Sequence, residues 1–236
     1  MNASTRHLNW RSVLDTTASV MMIAAATVML VSFVRGGKAK ASVRPDPPLP
    51  TSPLTLDAVV QVGELTAPVV IVEYADFQCP YCGAFHRETW PGLETKYVKP
   101  GRLQFVFIND PLQMHEHAER AAEAAVCAAQ QGKGWEMHNA MFADQGHLDE
   151  PSLLSHAVGL GLERTQFGAC LSGGAASRVK IELAEATAVQ ATATPAFLVG
   201  TRLPDGRVRA LRRISGNRPA ADFDAAIDAV LKTAGR

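Results

Sequence analysis

Apolar residues follow two rhythms along this chain. Two short runs are apolar at nearly every position, Val69 to Tyr74 (VVIVEY) and Leu103 to Ile108 (LQFVFI), and both read as buried strands. Between them, from Pro80 to about Tyr97, Tyr81, Phe85, Leu93 and Tyr97 recur at helical spacing, with Pro91-Gly92 expected to kink or interrupt the helix. Strand, helix, strand in that order predicts a βαβ unit. The middle of the chain changes character. From His115 to Gln131, Ala118, Ala121, Ala122, Ala125, Val126 and Ala129 share one helical face, and Gly132-Lys133-Gly134 ends that helix. Further helical patterns at about 136–143, 151–158, 164–171 and 175–191 contain no strand candidate, which predicts an all-helical insertion over about 112–191. Strand character returns at Ala196 to Val199 and Arg207 to Ile214 around a Pro204-Asp205-Gly206 turn, a hairpin signal, and an amphipathic helix from Ala220 to Leu231 closes the domain.

The N-terminal quarter is different again. Ala18 to Val34 is a run of seventeen uncharged residues, roughly 25 Å as a helix against a hydrocarbon core of ~30 Å. The predicted organisation is a tail at 1–15, one transmembrane anchor at 16–35, a Pro-rich spacer at 36–55 and a folded domain at 56–236. A cleaved signal ending near Ala39-Lys40-Ala41 is the competing reading, disfavoured by the basic Arg35, Lys38 and Lys40. The spacer holds five prolines in the ten positions 44–53 and is expected to be extended, holding the domain off the bilayer. Counting Lys and Arg on either side of the run places the domain in the cytoplasm; the cysteine chemistry below argues for the oxidising side and is given the greater weight. The chain carries 23 basic and 23 acidic residues, so the electrostatic footprint of a nucleic-acid binder is missing.

Of the four cysteines, Cys79 and Cys82 form a CPYC motif just after the first strand and at the start of a helix. A thiolate there meets unpaired backbone N–H groups and the positive end of the helix dipole. Pro80 suits the first helical turn, where its missing N–H costs nothing. The spacing lets one sulfur attack a substrate and the other resolve the mixed disulfide. A CxxC can equally be half of a zinc site, but Cys127 and Cys170 stand 43 residues apart, each alone in its own helix. His86, His115, His117 and His138 could complete a ligand set; surface or packing histidines are the preferred reading, and neither a metal nor any other bound cofactor is expected.

VEYADFQCPYC, then GKGWEMHNAMFADQ in the helical block, then ATPAFLVG resemble the DsbA-like branch of the thioredoxin superfamily over about residues 56–236. The resemblance implies an α/β thioredoxin fold with a helical insertion between its halves. It implies that Cys79 is the exposed nucleophile and Cys82 the buried resolving thiol. Pro195, 113 residues after Cys82, stands where the family has its cis-proline. Thr194 before it would offer its backbone to an extended client, beside Pro80 and Tyr81, and Glu73 would be the buried acid that takes the proton of the resolving cysteine. A trans proline that begins a strand and an edge-strand Glu73 facing water are the plainer alternatives. The Pro-Tyr pair departs from the Pro-His of enterobacterial DsbA proteins, which leaves the direction of electron flow open. Cys127 and Cys170 are read as a structural disulfide, as in some relatives, with two free thiols or a second redox couple as alternatives.

These residues predict a membrane-anchored, extracytoplasmic oxidoreductase that exchanges disulfides with protein thiols and is regenerated by a membrane redox partner. A reductase or isomerase of the same fold, or a chaperone whose thiols are incidental, are the alternatives. Phe77, Phe85 and Trp90 are candidates to line a client groove, although core packing is the commoner fate of such side chains.

Overall fold

A computed structural model describes residues 46–58 and 60–235, together with Thr27 and Met29. The expected anchor at 16–35 therefore lies outside the described residues, apart from those two positions. Among the described residues no helix is long and apolar enough to cross a membrane. The unit from Asp46 to Arg236 is built on a five-stranded sheet. Its strands are β1 (Val60–Val62), β2 (Val69–Ala75), β3 (Leu103–Asn109), β4 (Ala196–Arg202) and β5 (Val208–Ser215), in the spatial order β1-β3-β2-β4-β5. β2 and β3 run parallel; every other pairing is antiparallel.

The continuous apolar runs follow from this arrangement. β2 and β3 are buried at every position because helices cover both faces of the sheet. Side chains alternate across a strand, so Val70, Val72 and Tyr74 join one cluster with Val106, Ile108, Leu198 and Val189, while Val69 and Ile71 join the larger cluster of Phe85, Phe105, Phe107, Phe197 and Phe223. Parity puts Glu73 on the second face, in the middle of the aromatic side of the core. β1 carries no signal in the sequence because it is three residues long and gains its stability by pairing with β3. β4 bulges between Val199 and Gly200, where a Cβ on Gly200 would stand 2.1 Å from the Arg209 carbonyl oxygen, so that β5 approaches only over a bare backbone.

Helix α1 continues from Pro80 to Val98 through alternating α and π turns (Pro80–Ala84, Phe85–Thr89, Trp90–Leu93, Glu94–Val98). Of the kink or interruption expected at Pro91-Gly92, the interruption does not occur: Pro91 enters at the start of a new α segment, after a widened π turn that accommodates its ring and its missing N–H. The insertion follows as α2 (Ala118–Gln130), α3 (Gly134–Ala143), α4 (Glu150–Gly159), α5 (Arg164–Ala169) and α6 (Ala176–Ala188), and α7 (Ala220–Ala234) ends the domain. α2 is buried on nearly all sides, which explains its alanines: small side chains let neighbouring helices approach closely.

Two expectations are corrected here. The end of the Pro-rich spacer belongs to the domain, because Leu54 is buried and exchanges both backbone hydrogen bonds with Val208 at the outer edge of β5, at 2.8 and 2.9 Å. An open sheet edge is a liability, and Leu54 covers it; Arg213 adds a hydrogen bond to the Pro48 carbonyl. Phe77, Phe85 and Trp90 are core residues, at 1, 0 and 6% exposure, packed against Phe107, Phe197 and Phe105. Their rings pack into the core, and Trp90 also borders a cavity on the flank beside His86.

Cys127 on α2 and Cys170 at the end of α5 are joined in a disulfide. Replacing both by serine removes a loop constraint and should cost about 2–4 kcal/mol of unfolding free energy. Urea midpoints of the double variant and the parent test this; equal midpoints would show that α2 and α5 are held by packing alone.

Candidate active site

Cys79 stands at the mouth of α1 in an extended conformation, as the N-cap, with Pro80 as the first helical residue. Both CPYC sulfurs are thiols. The Thr194–Pro195 bond is cis, and the Thr194 carbonyl lies 3.5 Å from the Cys79 sulfur, which donates to it while it carries its proton. Cys79 is only 3% exposed, against the expectation of an exposed nucleophile, because this loop lies over it; Pro80 and Tyr81 form the exposed rim instead.

The two thiols are unequal. The Cys79 thiol is pushed down to about 5, first by a hydrogen bond from the Cys82 thiol and then by the Thr194 side chain and the backbone N–H groups of Cys82 and Tyr81, which together outweigh burial. Cys82 is completely buried and its thiol is pushed well up, by burial above all, then by its hydrogen bond to Cys79 and by the Glu73 carboxylate. At neutral pH Cys79 is a thiolate and Cys82 holds its proton. One hydrogen bond thus serves both: it stabilises the anion on one sulfur and keeps the hydrogen on the other.

Glu73 is 0% exposed in the central strand, so the edge-strand alternative does not apply. Burial, and then the Cys79 thiolate, push its carboxyl well above the ordinary range. Oε2 lies 2.9 Å from His86 Nε2, and Oε1 has no hydrogen-bond partner among the described residues. Burial pushes His86 down to about 3, so the two meet as a neutral acid and a neutral imidazole. His86 stacks on Phe142 at 4.1 Å and meets the edge of His138 at 4.6 Å, with His138 stacked on Trp135 in turn. Glu73, His86 and His138 each bring one potential ligand atom within 4.8 Å of the others. The Glu73–His86 hydrogen bond joins two of the three groups directly, while His138 Nε2 has no hydrogen-bond partner among the described residues.

Two positioning residues carry no motif. Asp76, at the end of β2, accepts the Gln78 N–H on one oxygen (2.7 Å) and the Leu112 N–H (2.8 Å) and His115 Nδ1 (2.7 Å) on the other. Its backbone carbonyl accepts the Cys79 N–H at 3.1 Å. Gln145, in the turn after α3, donates to the Phe77 and Cys79 carbonyls at 2.7 and 2.9 Å. The loop before Cys79 is therefore held from two sides. Gln78 in turn accepts the His117 N–H at 2.7 Å, which ties in the 110–117 loop and brings the 82% exposed Met114 to this end of the domain. The contacts of Asp76 and Gln145 arise from loops far apart in the sequence, and only Asp76, a polar residue closing an apolar strand, left a trace in the pattern.

Comparison with known proteins adds to this geometry. The sequence profile described as "Thioredoxin" matches residues 55–229. A variant of alpha-DsbA1 from Wolbachia pipientis superposes with a TM-score of 0.66 at 21% identity, covering 77% of this chain and 94% of that one. A thioredoxin-like oxidoreductase from Silicibacter pomeroyi gives 0.60 at 24% identity, over 73% and 92%. Among curated sequences, the Na(+)/H(+) antiporter NhaA 3 of Salinispora tropica is 37% identical over 146 residues, 61% of this chain but 22% of that protein. The chain spans about a fifth of the length of the curated relatives it matches.

Two measurements follow. Gly83 shares its space with Gln145, since a Cβ there would lie 1.8 Å from Oε1 of Gln145. Gly83→Ala and Gln145→Ala should therefore remove the same clamp, each losing about 1–2 kcal/mol, with the double variant losing less than the sum; additive losses in urea unfolding contradict the shared cause. The second concerns pH. A thiol brought down from 9.0 to about 5 adds stability to the reduced protein that is full above about pH 9 and is lost as pH falls through about 5. The reduced parent should gain on reduced Cys79→Ser as pH rises across that window; a gap independent of pH would show Cys79 to be an ordinary thiol.

Proposed function

The chain belongs to the thioredoxin family, and from that premise we propose that it is a thiol-disulfide oxidoreductase that donates its Cys79–Cys82 disulfide to protein thiols. The observation that carries the reading is the unequal pair: a stabilised Cys79 thiolate beside a buried, protonated Cys82. A client thiolate attacks Cys79 Sγ, the Cys79–Cys82 bond breaks, and Cys82 leaves and takes up a proton. A second client thiolate then attacks the client sulfur of the mixed disulfide. The client disulfide forms, and Cys79 departs as a thiolate that its surroundings already stabilise. Two electrons remain on the protein as the dithiol, and a membrane redox partner would remove them.

Stabilising the dithiol state makes the disulfide more oxidising, so the lowered Cys79 thiol favours a donor over a reductase or isomerase. The chemistry needs no metal and no bound cofactor beyond the pair itself. The exposed Pro80, Tyr81 and Met114 and the cis-proline loop at Thr194 and Pro195 offer a surface for an extended client segment. The Cys127–Cys170 bridge supports an oxidising compartment, and the apolar run at 16–35 supports a membrane anchor with the domain on the extracytoplasmic side.

The equilibrium potential of Cys79/Cys82 in glutathione buffers tests the direction. A donor is expected at about −150 mV or higher, whereas a value at or below about −230 mV means a reductase. Cys79→Ser should abolish turnover; full activity of that variant in cells would instead point to a peptide-binding role.

A further inference from the structure

Cys82 has a proton problem that the sulfur chemistry leaves unsolved. It is completely buried, and a client held on Cys79 would cover the side of the pair beside the exposed Tyr81. Yet each time the Cys79–Cys82 bond breaks Cys82 must gain a proton, and each time the bond forms it must lose one. Glu73, near enough for its charge to act on the Cys82 thiol, is itself fully buried and cannot exchange with water directly.

The contacts of Glu73 lead away from the client face. Its Oε2 is bonded to His86 Nε2, and the side chain of His86 is 5% exposed. That small exposure opens on a surface cavity of about 230 Å³, lined also by Arg87, Trp90, Glu94, Asn139 and Phe142. His86 lies four residues after Cys82, in the π turn that follows the first segment of α1. π turns recur at functional sites because they re-aim side chains within a helix. Here His86 has its Nε2 on the acid beneath the thiols while the residue borders a cavity on the flank of the domain.

We propose that His86 is the relay between Glu73 and the flank cavity, through which the Cys82 proton enters and leaves while a client occupies the front of the site. When Cys82 departs, Glu73 gives it a proton, His86 Nε2–H reprotonates Glu73, and Nδ1 takes a proton from the cavity. When Cys82 attacks a mixed disulfide the transfers reverse: the Cys79–client bond breaks, the Cys79–Cys82 bond forms, the client leaves as a thiolate, and the Cys82 proton passes through Glu73 and His86 to the cavity. An imidazole performs this with one proton in and one out at opposite nitrogens, and it stays neutral at the start and the end.

The electrostatics suit the task. Glu73 is held protonated and His86 neutral, both by burial, so the resting relay places no charge in the core. The groups facing His86 are Glu73 on β2, His138 on α3, and Arg87 and Glu94 on its own helix. His138 is pushed well down, first by burial and then by His86, so it too is neutral. Its Nδ1 is bonded to Asn139 Oδ1, which fixes the ring against which His86 packs.

The proposal rests on the exchange reading above, and the test separates the two. Cys79 is loaded with glutathione as a mixed disulfide, and its release by Cys82 is followed in parent, His86→Gln and His86→Ala. The glutamine can still hydrogen-bond Glu73 but passes no proton; the alanine opens the site to imidazole from the cavity side. Release is expected to slow about 10-fold or more in both variants. Added imidazole should restore it in His86→Ala only, together with the solvent deuterium isotope effect of the parent, and the alkylation rate of Cys79 should stay unchanged. Parent-like release in His86→Gln, slowing that imidazole does not relieve, or a stoichiometric divalent metal lost on His86 substitution would each overturn the relay. If the parent itself releases no glutathione, the exchange reading falls and the relay falls with it.

Discussion

The hydrogen bond from the Cys82 thiol to the Cys79 thiolate is the interaction on which the rest of the site depends. It can form only if the first sulfur gathers enough donors to remain an anion and the second is kept too dry to compete. The start of α1 supplies the first condition, through the N–H groups of Tyr81 and Cys82, together with the Thr194 side chain from the cis-proline loop. The aromatic core supplies the second, since Cys82 sits at the bottom of the helix mouth at 0% exposure. Neither condition is local. Asp76 and Gln145 hold the approach to Cys79 from opposite sides, and Gln145 comes from the helical insertion, which is thereby part of the thiol site.

The same face of the sheet carries the acid and the thiols, and strand parity is the reason. Val69, Ile71 and Glu73 point toward α1, and Val70, Val72 and Tyr74 point away from it. A register slip of one residue would turn Glu73 toward α6 and leave Cys82 above a tyrosine. The parallel pairing of β2 with β3 and its antiparallel pairing with β4 fix that register on both sides. The placement of one carboxylate thus depends on pairings along the whole central strand.

Much of this was legible in the residues. The βα half, the helical insertion, the returning hairpin and the last helix followed from periodicity, because long apolar runs and alanine stripes are strong signals. What escaped notice arises from three-dimensional proximity. β1 is too short to announce itself, and Leu54 pairs with β5 because an edge needed covering, which nothing around Leu54 encodes. Pro91 looked like a break, and a π turn absorbed it. Phe77, Phe85 and Trp90 lie near CPYC in sequence, but helix direction turns them inward. The candidate site was legible where chemistry is compact in sequence, at Cys79 and Cys82, whereas Glu73 and Pro195 were named through the family resemblance. It was faint at Asp76 and illegible at Gln145 and the Glu73–His86 contact, which join residues that only the fold brings together.

The central claim is that one sulfur of the reduced pair is an anion at neutral pH while the other keeps its proton. Titrating the ultraviolet absorbance of thiolate in the reduced protein, with Cys79→Ser as the reference, tests it directly. The account predicts the amplitude of one thiolate rising near pH 5, absent in Cys79→Ser, and no contribution from Cys82 until well above pH 9. A pair that stays protonated through pH 7, or two thiolates appearing together, would contradict it.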